Sequence, residues 1–131
     1  MPAYNFTKRF SPAVESGDKT QTIRATDKKA LPGQAAHLFT GQRTKACRRL
    51  GLGTLISVSP IEIGRHACGE PYAVLNPSSL RPTHLVHFDL DRFAKADGFQ
   101  TGEEMVEWFA AQYVLPFNGF LHIWKMSNVD R

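Results

Sequence analysis

One strongly specified helix stands among short β-rich segments, and this combination limits the folds available to the chain. Thr101 followed by Glu104 forms a capping box, in which each side chain satisfies a free backbone donor of the other residue. This motif predicts a helix from Gly102 to about Gln112. Four apolar or aromatic residues recur along it at helical spacing and are expected to face the core: Met105, Trp108, Phe109 and Tyr113. The pattern favours a mixed α+β domain.

Most of the remaining pattern is β-rich. Residues 84–90 alternate apolar and polar side chains and predict a strand, whereas Pro60 predicts a bend or bulge within residues 54–63. Residues 64–82 are rich in proline, glycine and serine, which predicts a long loop with one short strand. The predicted strands cover residues 6–10, 20–25, 35–40, 54–63, 72–75, 84–90 and 120–126, and a turn at 116–119 precedes the last one.

Two short helices complete the prediction. Pro12 suits the first turn of one of them, and Gly17 ends it because glycine readily adopts the left-handed conformation at a helix C-terminus. Asp91 is expected to cap the other, which runs through Lys95. A chain of 131 residues has the size of one domain with one core. We therefore expect a single domain over residues 1–131.

The residues that follow Gly17 carry a dense concentration of reactive groups. An amine, two hydroxyls and a guanidinium fall within six positions, on Lys19, Thr20, Thr22 and Arg24. In a regular strand, residues three apart point to opposite faces, so Lys19 and Thr22 can meet only if the backbone turns between them. The junction between the short helix and the next strand offers such a turn. The alternative is that Lys19 and Arg24 are solvated and the threonines are ordinary strand formers.

The net positive charge of the chain favours the binding of anions. Sixteen Lys plus Arg against twelve Asp plus Glu give a net charge of +4 and a pI near 9.3. This balance fits a nucleic acid or nucleotide partner and an ordinary mildly basic protein equally well. The densest basic cluster suits phosphate contacts, with solvated surface charge as the alternative; it consists of Arg43, Lys45, Arg48 and Arg49. Side chains able to stack on a base are Phe39, Tyr72 and Trp124, while Trp108 is assigned to the core.

Several classes of protein and site do not fit the sequence. No basic segment followed by an apolar run opens the chain, and no apolar stretch approaches the roughly 18 residues that span a bilayer, so we expect neither secretion nor a membrane partner. Two widely separated cysteines, Cys47 and Cys68, are not a disulfide framework and favour reduced thiols in the cytoplasm. Neither a Cys-x-x-Cys pair nor a zinc deaminase signature is present. We expect no metal and no cofactor.

The motifs along the chain occur in a recognisable order. Gly17, Lys19-Thr20 and Thr22-Ile23-Arg24 come first, then Gly33 before an apolar strand, then Ala96 to Phe99 with Glu103 to Met105, and last an apolar strand ending in Trp124. Over nearly the whole chain, this order resembles the ASCH domain, a PUA-like β-barrel family. The resemblance implies a small PUA-like β-barrel of mixed, mostly antiparallel strands, flanked by two or three helices.

The resemblance also implies an activity. Some bacterial ASCH proteins are amidohydrolases that remove the acyl group from N(4)-acetylcytidine with a Lys, a Thr and an acidic residue, and these roles fall by motif on Lys19, Thr22 and Asp97. Those enzymes have Glu where this chain has Asp97. Thr22 would then be the nucleophile and Lys19 its base, with Asp97 orienting the amine or passing a proton to the leaving nitrogen. A nearby cation such as Arg24 would lower the lysine pKa, whereas a nearby acid would raise it.

Two other functions stay open at this point. A non-catalytic ASCH module that binds RNA fits the basic cluster, and a ribonuclease fits because some ASCH proteins cut RNA. A monomer and a homodimer are both compatible with the sequence. The expected partner is a modified nucleoside or RNA, bound in a pocket formed by residues 19–24, the turn at Asp97 and the loop at 64–82.

Overall fold

Seven strands and three helices are found in residues 2–127, the part of the chain that this computed structural model describes. In chain order they are β1 (Ala3–Phe6), α1 (Ser11–Ser16), β2 (Gln21–Arg24), β3 (Ala35–Thr40), β4 (Arg48–Arg65), β5 (Pro71–Leu75), β6 (Thr83–Leu85), α2 (His87–Ala96), α3 (Gly102–Gln112) and β7 (Phe117–Met126). The chain is therefore a mixed α+β protein, as the sequence predicts. Within the described range, no helix is long and apolar enough to cross a membrane.

The sheet is organised around β4, which is 18 residues long. One edge of β4 pairs first with β3 and then with β5, and its other edge pairs with β7, all in the antiparallel sense. Beyond this centre, β2 lies antiparallel to β7, β6 lies antiparallel to β5, and β1 lies parallel to β3. No ladder among residues 2–127 joins the ends of this set, so the sheet is not closed into the expected barrel.

Local signals place α1 and α3 where the sequence predicts them. Gly17 follows α1 in the left-handed conformation, with a φ of 90°, and its N–H donates to the Val14 carbonyl. At the start of α3, the Thr101 hydroxyl oxygen accepts from the Glu104 backbone N–H at 3.1 Å. Both helices therefore have the predicted terminus. Within residues 2–127, the second half of the predicted capping box is not formed, because Glu104 Oε1 accepts from Arg9 Nη2 at 2.6 Å instead of from the Thr101 N–H.

The strand predicted at residues 84–90 is wrong, because most of this segment belongs to α2. Leu90 and Ala94 are both buried and lie four residues apart, which is the spacing of one helix face. The buried residues therefore follow the period of a helix and not that of a strand. Asp91 does not begin α2 either. Its carboxylate accepts from the Gly102 backbone N–H at 2.7 Å, and so it stabilises the start of α3 instead.

Two strands are shifted relative to their predicted positions. β1 ends at Phe6 rather than beginning there, because the next residues form a turn in which the Phe10 N–H donates to the Thr7 carbonyl at 3.0 Å. β7 begins at Phe117, within the turn predicted at 116–119, because Phe117 is buried and pairs with Ile63.

The long strand β4 also departs from the prediction. It begins at Arg48 and runs on to Arg65, so it extends the strand predicted at residues 54–63 in both directions and shortens the loop predicted at residues 64–82. Pro60 lies inside β4 opposite Phe120, and the ladder shifts register earlier, between Leu55 and Ser57. The Pro60 carbonyl accepts from the Asn76 N–H at 2.9 Å.

One apolar core joins the sheet to the helices. Its largest fully buried side chains include Trp124, Tyr4, Phe109, Leu38, Ile61 and Ile63. Trp108, which the sequence assigns to the core, is only half-buried, and Tyr113 is 43% exposed just after α3. Met105 and Phe109 of the predicted set are therefore confirmed as buried, and Val106 completes the buried face of α3 in place of Trp108 and Tyr113.

Candidate functional site

A cavity of about 170 Å³ beside the end of β1 collects the three residues that the motif resemblance selects. Lys19 lies just before β2, Thr22 lies within β2, and Asp97 follows α2, so residues 78 positions apart in sequence meet there. Aromatic side chains form much of the remaining wall: Phe6, Phe10, Phe99, Trp108, Phe109 and Tyr113. The cavity therefore combines ionisable groups with aromatic rings.

The turn after α1 brings Lys19 and Thr22 to the same cavity. The Lys19 backbone N–H donates to the Ala13 carbonyl at 2.9 Å, which folds the chain back before β2 begins at Gln21. Thr20 instead lines a separate, wider groove of about 870 Å³. None of the residues that line that groove is a buried ionisable group, so we place the candidate site in the smaller cavity.

The Lys19 amine is buried among oxygen acceptors and aromatic rings. Its side chain is 3% exposed, and Nζ donates to the backbone carbonyl oxygen of Asp97 at 2.6 Å. Asp97 Oδ1 lies 3.5 Å from the same nitrogen. The ring centres of Phe6 and Phe10 lie 5.7 and 5.1 Å from Nζ, close enough to stabilise its charge when it is protonated.

Burial moves the pKa values of Lys19 and Asp97 toward each other. Removal from water lowers the pKa of Lys19; Asp97 opposes this effect, and the Arg24 guanidinium adds to it. Removal from water also raises the pKa of Asp97, against the opposing charge of Lys19. A proton can therefore move from the amine to the carboxyl group at a smaller free-energy difference than in water.

Arg24 holds the Thr22 hydroxyl. Arg24 Nε donates to Thr22 Oγ1 at 3.0 Å, and Arg24 Nη2 donates to the Asn5 carbonyl at 3.0 Å. A guanidinium only donates, so the Thr22 proton stays available to a base, and the charge of Arg24 stabilises negative charge that develops on Oγ1. Among residues 2–127, no hydrogen bond joins Thr22 to Lys19, whose amine is held by Asp97.

Gln21 and Trp108 are among the residues of the site that were not found by sequence reasoning. Gln21 is 6% exposed, and its Nε2 donates to Asp97 Oδ1 at 3.4 Å. Its position inside the reactive segment is the signal that points to it. Trp108 lines the cavity, and it is missed because its helical spacing matches that of the core residues Met105 and Phe109.

A second buried polar pair lies beside Arg24. The Tyr4 hydroxyl and His122 Nδ1 are 2.7 Å apart, and His122 Nε2 lies 3.0 Å from the Thr26 carbonyl oxygen. A carbonyl only accepts, so Nε2 carries a hydrogen, and burial lowers the pKa of His122, which favours the neutral ring. Nδ1 then accepts from Tyr4, whose ring centre lies 5.6 Å from the Arg24 guanidinium carbon. The hydrogen bond between Tyr4 and His122 thus fixes the position of the Tyr4 ring, against which the Arg24 guanidinium packs.

The basic cluster is exposed and lies outside the Lys19 cavity. Arg48 Nη1 forms an ion pair with Glu15 at 2.6 Å. Arg43, Lys45 and Arg49 form no ion pair with any residue that the structure describes. Most of the positive charge of this cluster is therefore uncompensated.

The three aromatic residues expected to stack on a base do not line the Lys19 cavity. Trp124 is 1% exposed and belongs to the core. Tyr72 donates to Glu62 Oε2 at 2.6 Å, and Phe39 lies in β3. The loop at 64–82 contributes no residue to the cavity wall, so α3 takes the place that the sequence prediction gave to this loop.

Neither a metal-binding cluster nor a known relative assigns the site a role. No group of three His, Cys, Asp or Glu side chains within residues 2–127 is placed to hold a metal ion. No family model, no curated protein and no solved structure matches the chain. The site is therefore judged by its own chemistry: a buried amine, a hydroxyl held by a guanidinium, and a carboxyl group with a raised pKa.

Proposed function

We propose that this chain is an amidohydrolase that removes the acyl group from N(4)-acylated cytosine nucleosides. One observation carries the proposal: the buried Lys19 amine, with its lowered pKa, shares a cavity with Thr22, whose oxygen accepts a hydrogen bond from Arg24. The resemblance of the motifs at Lys19, Thr22 and Asp97 to those of ASCH amidohydrolases supports the same roles.

The first half of the proposed reaction transfers the acyl group to Thr22. Neutral Lys19 takes the Thr22 proton as Oγ1 attacks the acyl carbonyl carbon. The attack moves the π electrons of the carbonyl onto the acyl oxygen, and the Arg24 guanidinium beside Oγ1 stabilises this negative charge. The C–N bond then breaks, and the proton held by Lys19 passes to the N4 nitrogen of the leaving cytosine.

The second half hydrolyses the ester formed on Thr22. A water molecule loses a proton to Lys19 and attacks the ester carbonyl, and the proton returns to the Thr22 oxygen as the carboxylic acid leaves. Asp97 holds the amine through its backbone carbonyl, and its carboxyl group can exchange a proton with Lys19 because its pKa is raised. Substrate plus water thus gives cytidine plus a carboxylic acid.

The aromatic wall suits a flat and partly apolar ligand. The ring centres of Phe10, Phe99 and Trp108 lie 5.3, 5.9 and 6.1 Å apart in tilted or edge-to-face arrangements. Any base presents a π-face to such rings, and a hydrocarbon acyl group packs against them as well. A pyrimidine that carries an acyl group has both features.

We further propose that the open sheet is a variant of the PUA-like fold and that the protein works in the cytoplasm. The order of the motifs and the mostly antiparallel pairing around β4 support the first statement. Cys47 and Cys68 are free and exposed, which suits a reducing compartment and supports the second.

A non-catalytic module that binds RNA is the second candidate function, and one observation favours it. Arg43, Lys45 and Arg49 are exposed cations without an ion pair among the described residues. Such cations suit contacts with phosphate oxygens, whose strength falls steeply with salt.

Incubation with N(4)-acetylcytidine tests the first candidate against the second. The absorbance of the solution changes as cytidine appears, and we expect this change with the wild-type protein but not with Thr22→Val. Salt-dependent RNA binding without hydrolysis of any N(4)-acylcytidine would favour the binding module instead.

A further inference from the structure

A second cavity, of about 460 Å³, adjoins the Lys19 cavity. The two cavities share three wall residues at the end of β1 and just after it, Asn5, Phe6 and Thr7. The opposite wall of the second cavity comes from the end of β3 and the loop that follows it, including Thr44. The two cavities are therefore immediate neighbours at the end of β1.

Hydrogen bonds fix the shape of the second cavity. Asn5 Oδ1 accepts from the Gln42 backbone N–H at 2.9 Å and ties the loop after β3 to β1. Within that loop, Thr44 Oγ1 donates to the Gly41 carbonyl at 2.6 Å. The Asn5 carbonyl also accepts from Arg24 of the first cavity, so one residue organises both cavities.

Two cations line the second cavity and two more lie in the loop that forms part of its wall, and most of their charge is uncompensated. Lys8 lines the cavity and forms no ion pair with any residue from 2 to 127. Arg48 also lines it and is held by Glu15 at 2.6 Å. Arg43 and Lys45 belong to the loop after β3 and are exposed. Excess positive charge at an open cavity attracts anions, and phosphate oxygens are strong acceptors for such donors.

We propose that the second cavity binds a phosphate group of a nucleotide whose cytosine base occupies the Lys19 cavity. The substrate class is then N(4)-acylated cytosine nucleotides, free or within RNA, rather than nucleosides. The identity of the base rests on the proposed function. The assignment of a phosphate to the second cavity depends on the wall residues that the two cavities share, Asn5, Phe6 and Thr7, and on the positive charge of Lys8. In a free nucleotide and in RNA alike, the recognised group is a phosphate ester of the ribose that carries the base.

Isothermal titration calorimetry with cytidine and cytidine 5′-monophosphate tests this subsite without requiring catalysis. The monophosphate should bind about tenfold more tightly, the size expected of one charge-assisted hydrogen bond. Lys8→Glu should abolish this preference and leave the affinity for cytidine unchanged. Arg81→Glu makes the same change of charge at an exposed residue that lines neither cavity, and it should leave the preference intact.

A short RNA that contains one cytidine separates the two sources of phosphate. Binding that is tighter than that of the monophosphate, with a steeper loss on addition of salt, assigns the subsite to a phosphodiester within RNA. Equal or weaker binding assigns it to a free nucleotide.

Equal affinity for cytidine and its monophosphate overturns the inference, as does the absence of binding by both ligands. A preference that survives Lys8→Glu, or that Arg81→Glu reduces equally, overturns it as well. Hydrolysis of N(4)-acetylcytidine by the same preparation keeps the two proposals apart. Hydrolysis without a phosphate preference removes only the subsite, and a phosphate preference without hydrolysis removes only the catalytic proposal.

Discussion

The Lys19 Nζ atom lies 2.6 Å from the backbone carbonyl oxygen of Asp97 and 3.5 Å from its carboxylate oxygen. The main chain of Asp97 therefore holds the amine directly, while its side chain acts mainly through charge. Substitutions of this side chain leave the main-chain contact in place. They consequently test the electrostatic role of Asp97 separately from the position of Lys19.

Arg24 and Asp97 should move the pH dependence of hydrolysis in opposite directions. The rising limb of the pH profile of kcat/KM is expected to report the deprotonation of Lys19. Arg24 lowers the pKa of Lys19, so Arg24→Gln should shift this limb to higher pH. Asp97 raises the same pKa, so Asp97→Asn should shift the limb to lower pH.

The control for this pair is Arg24→Lys, which keeps a positive charge near Lys19 and should leave the limb close to its wild-type position. Shifts of Arg24→Gln and Asp97→Asn in the same direction would show that the limb belongs to another group.

Thr22→Val removes the proposed nucleophile and keeps the shape of the side chain. Deacylation should fall by several orders of magnitude, because the acyl group has no oxygen to which it can transfer. Thr22→Ser keeps a hydroxyl and should retain measurable activity. Urea unfolding should show a loss of about 1 to 3 kcal/mol for Thr22→Val, since Arg24 Nε loses its acceptor. Turnover of Thr22→Val at the wild-type rate would place the nucleophile elsewhere.

Lys19 and Asp97 should be strongly coupled in stability. Lys19→Met leaves the buried Asp97 carboxyl group without its nearest cation and should lower the free energy of unfolding by about 3 kcal/mol. The double variant Lys19→Met with Asp97→Leu removes both charges and should recover most of that loss, because apolar replacement of a buried pair is often neutral. Urea denaturation near neutral pH measures both values. Simple addition of the two single effects would contradict the coupling.

The two tryptophans should respond differently to truncation. Trp124 is 1% exposed, so Trp124→Ala should lower the free energy of unfolding by about 3 to 5 kcal/mol. Trp108 is half-buried at the cavity, so Trp108→Ala should lower it by less than about 2 kcal/mol and mainly raise KM for the acylated substrate. Urea denaturation and steady-state kinetics measure these effects. Equal losses of stability in the two variants would show that Trp108 is a core residue, as the sequence predicts.

Sequence prediction succeeds where residues close together in the chain decide the outcome. Gly17 ends α1 and Thr101 begins α3, each through a hydrogen bond to a residue within one helical turn. Both helices lie where these two residues indicate. The turn that brings Lys19 and Thr22 to one cavity is equally local, since it depends on a hydrogen bond between Lys19 and Ala13. The chemically dense segment is therefore readable from the sequence.

Prediction fails where distant residues decide. Leu90 fits both the strand period and the helical period, and only the packing of α2 selects between them. Tyr4 and His122 are 118 positions apart, so the sequence offers no sign of the bond between them. Trp108 and Trp124 both sit in apolar patterns, and the assembled sheet alone determines which of them is buried.

The central claim is that the Lys19 amine acts as a base and not only as a buried cation. Lys19→Arg keeps the positive charge, but a guanidinium does not lose its proton near neutral pH. The most direct measurement is the rate of N(4)-acetylcytidine hydrolysis by the wild-type protein, Lys19→Arg and Lys19→Ala. We predict hydrolysis by the wild type and similar losses of several orders of magnitude in the two variants. Hydrolysis by Lys19→Arg at the wild-type rate, or none by the wild type, would contradict the claim.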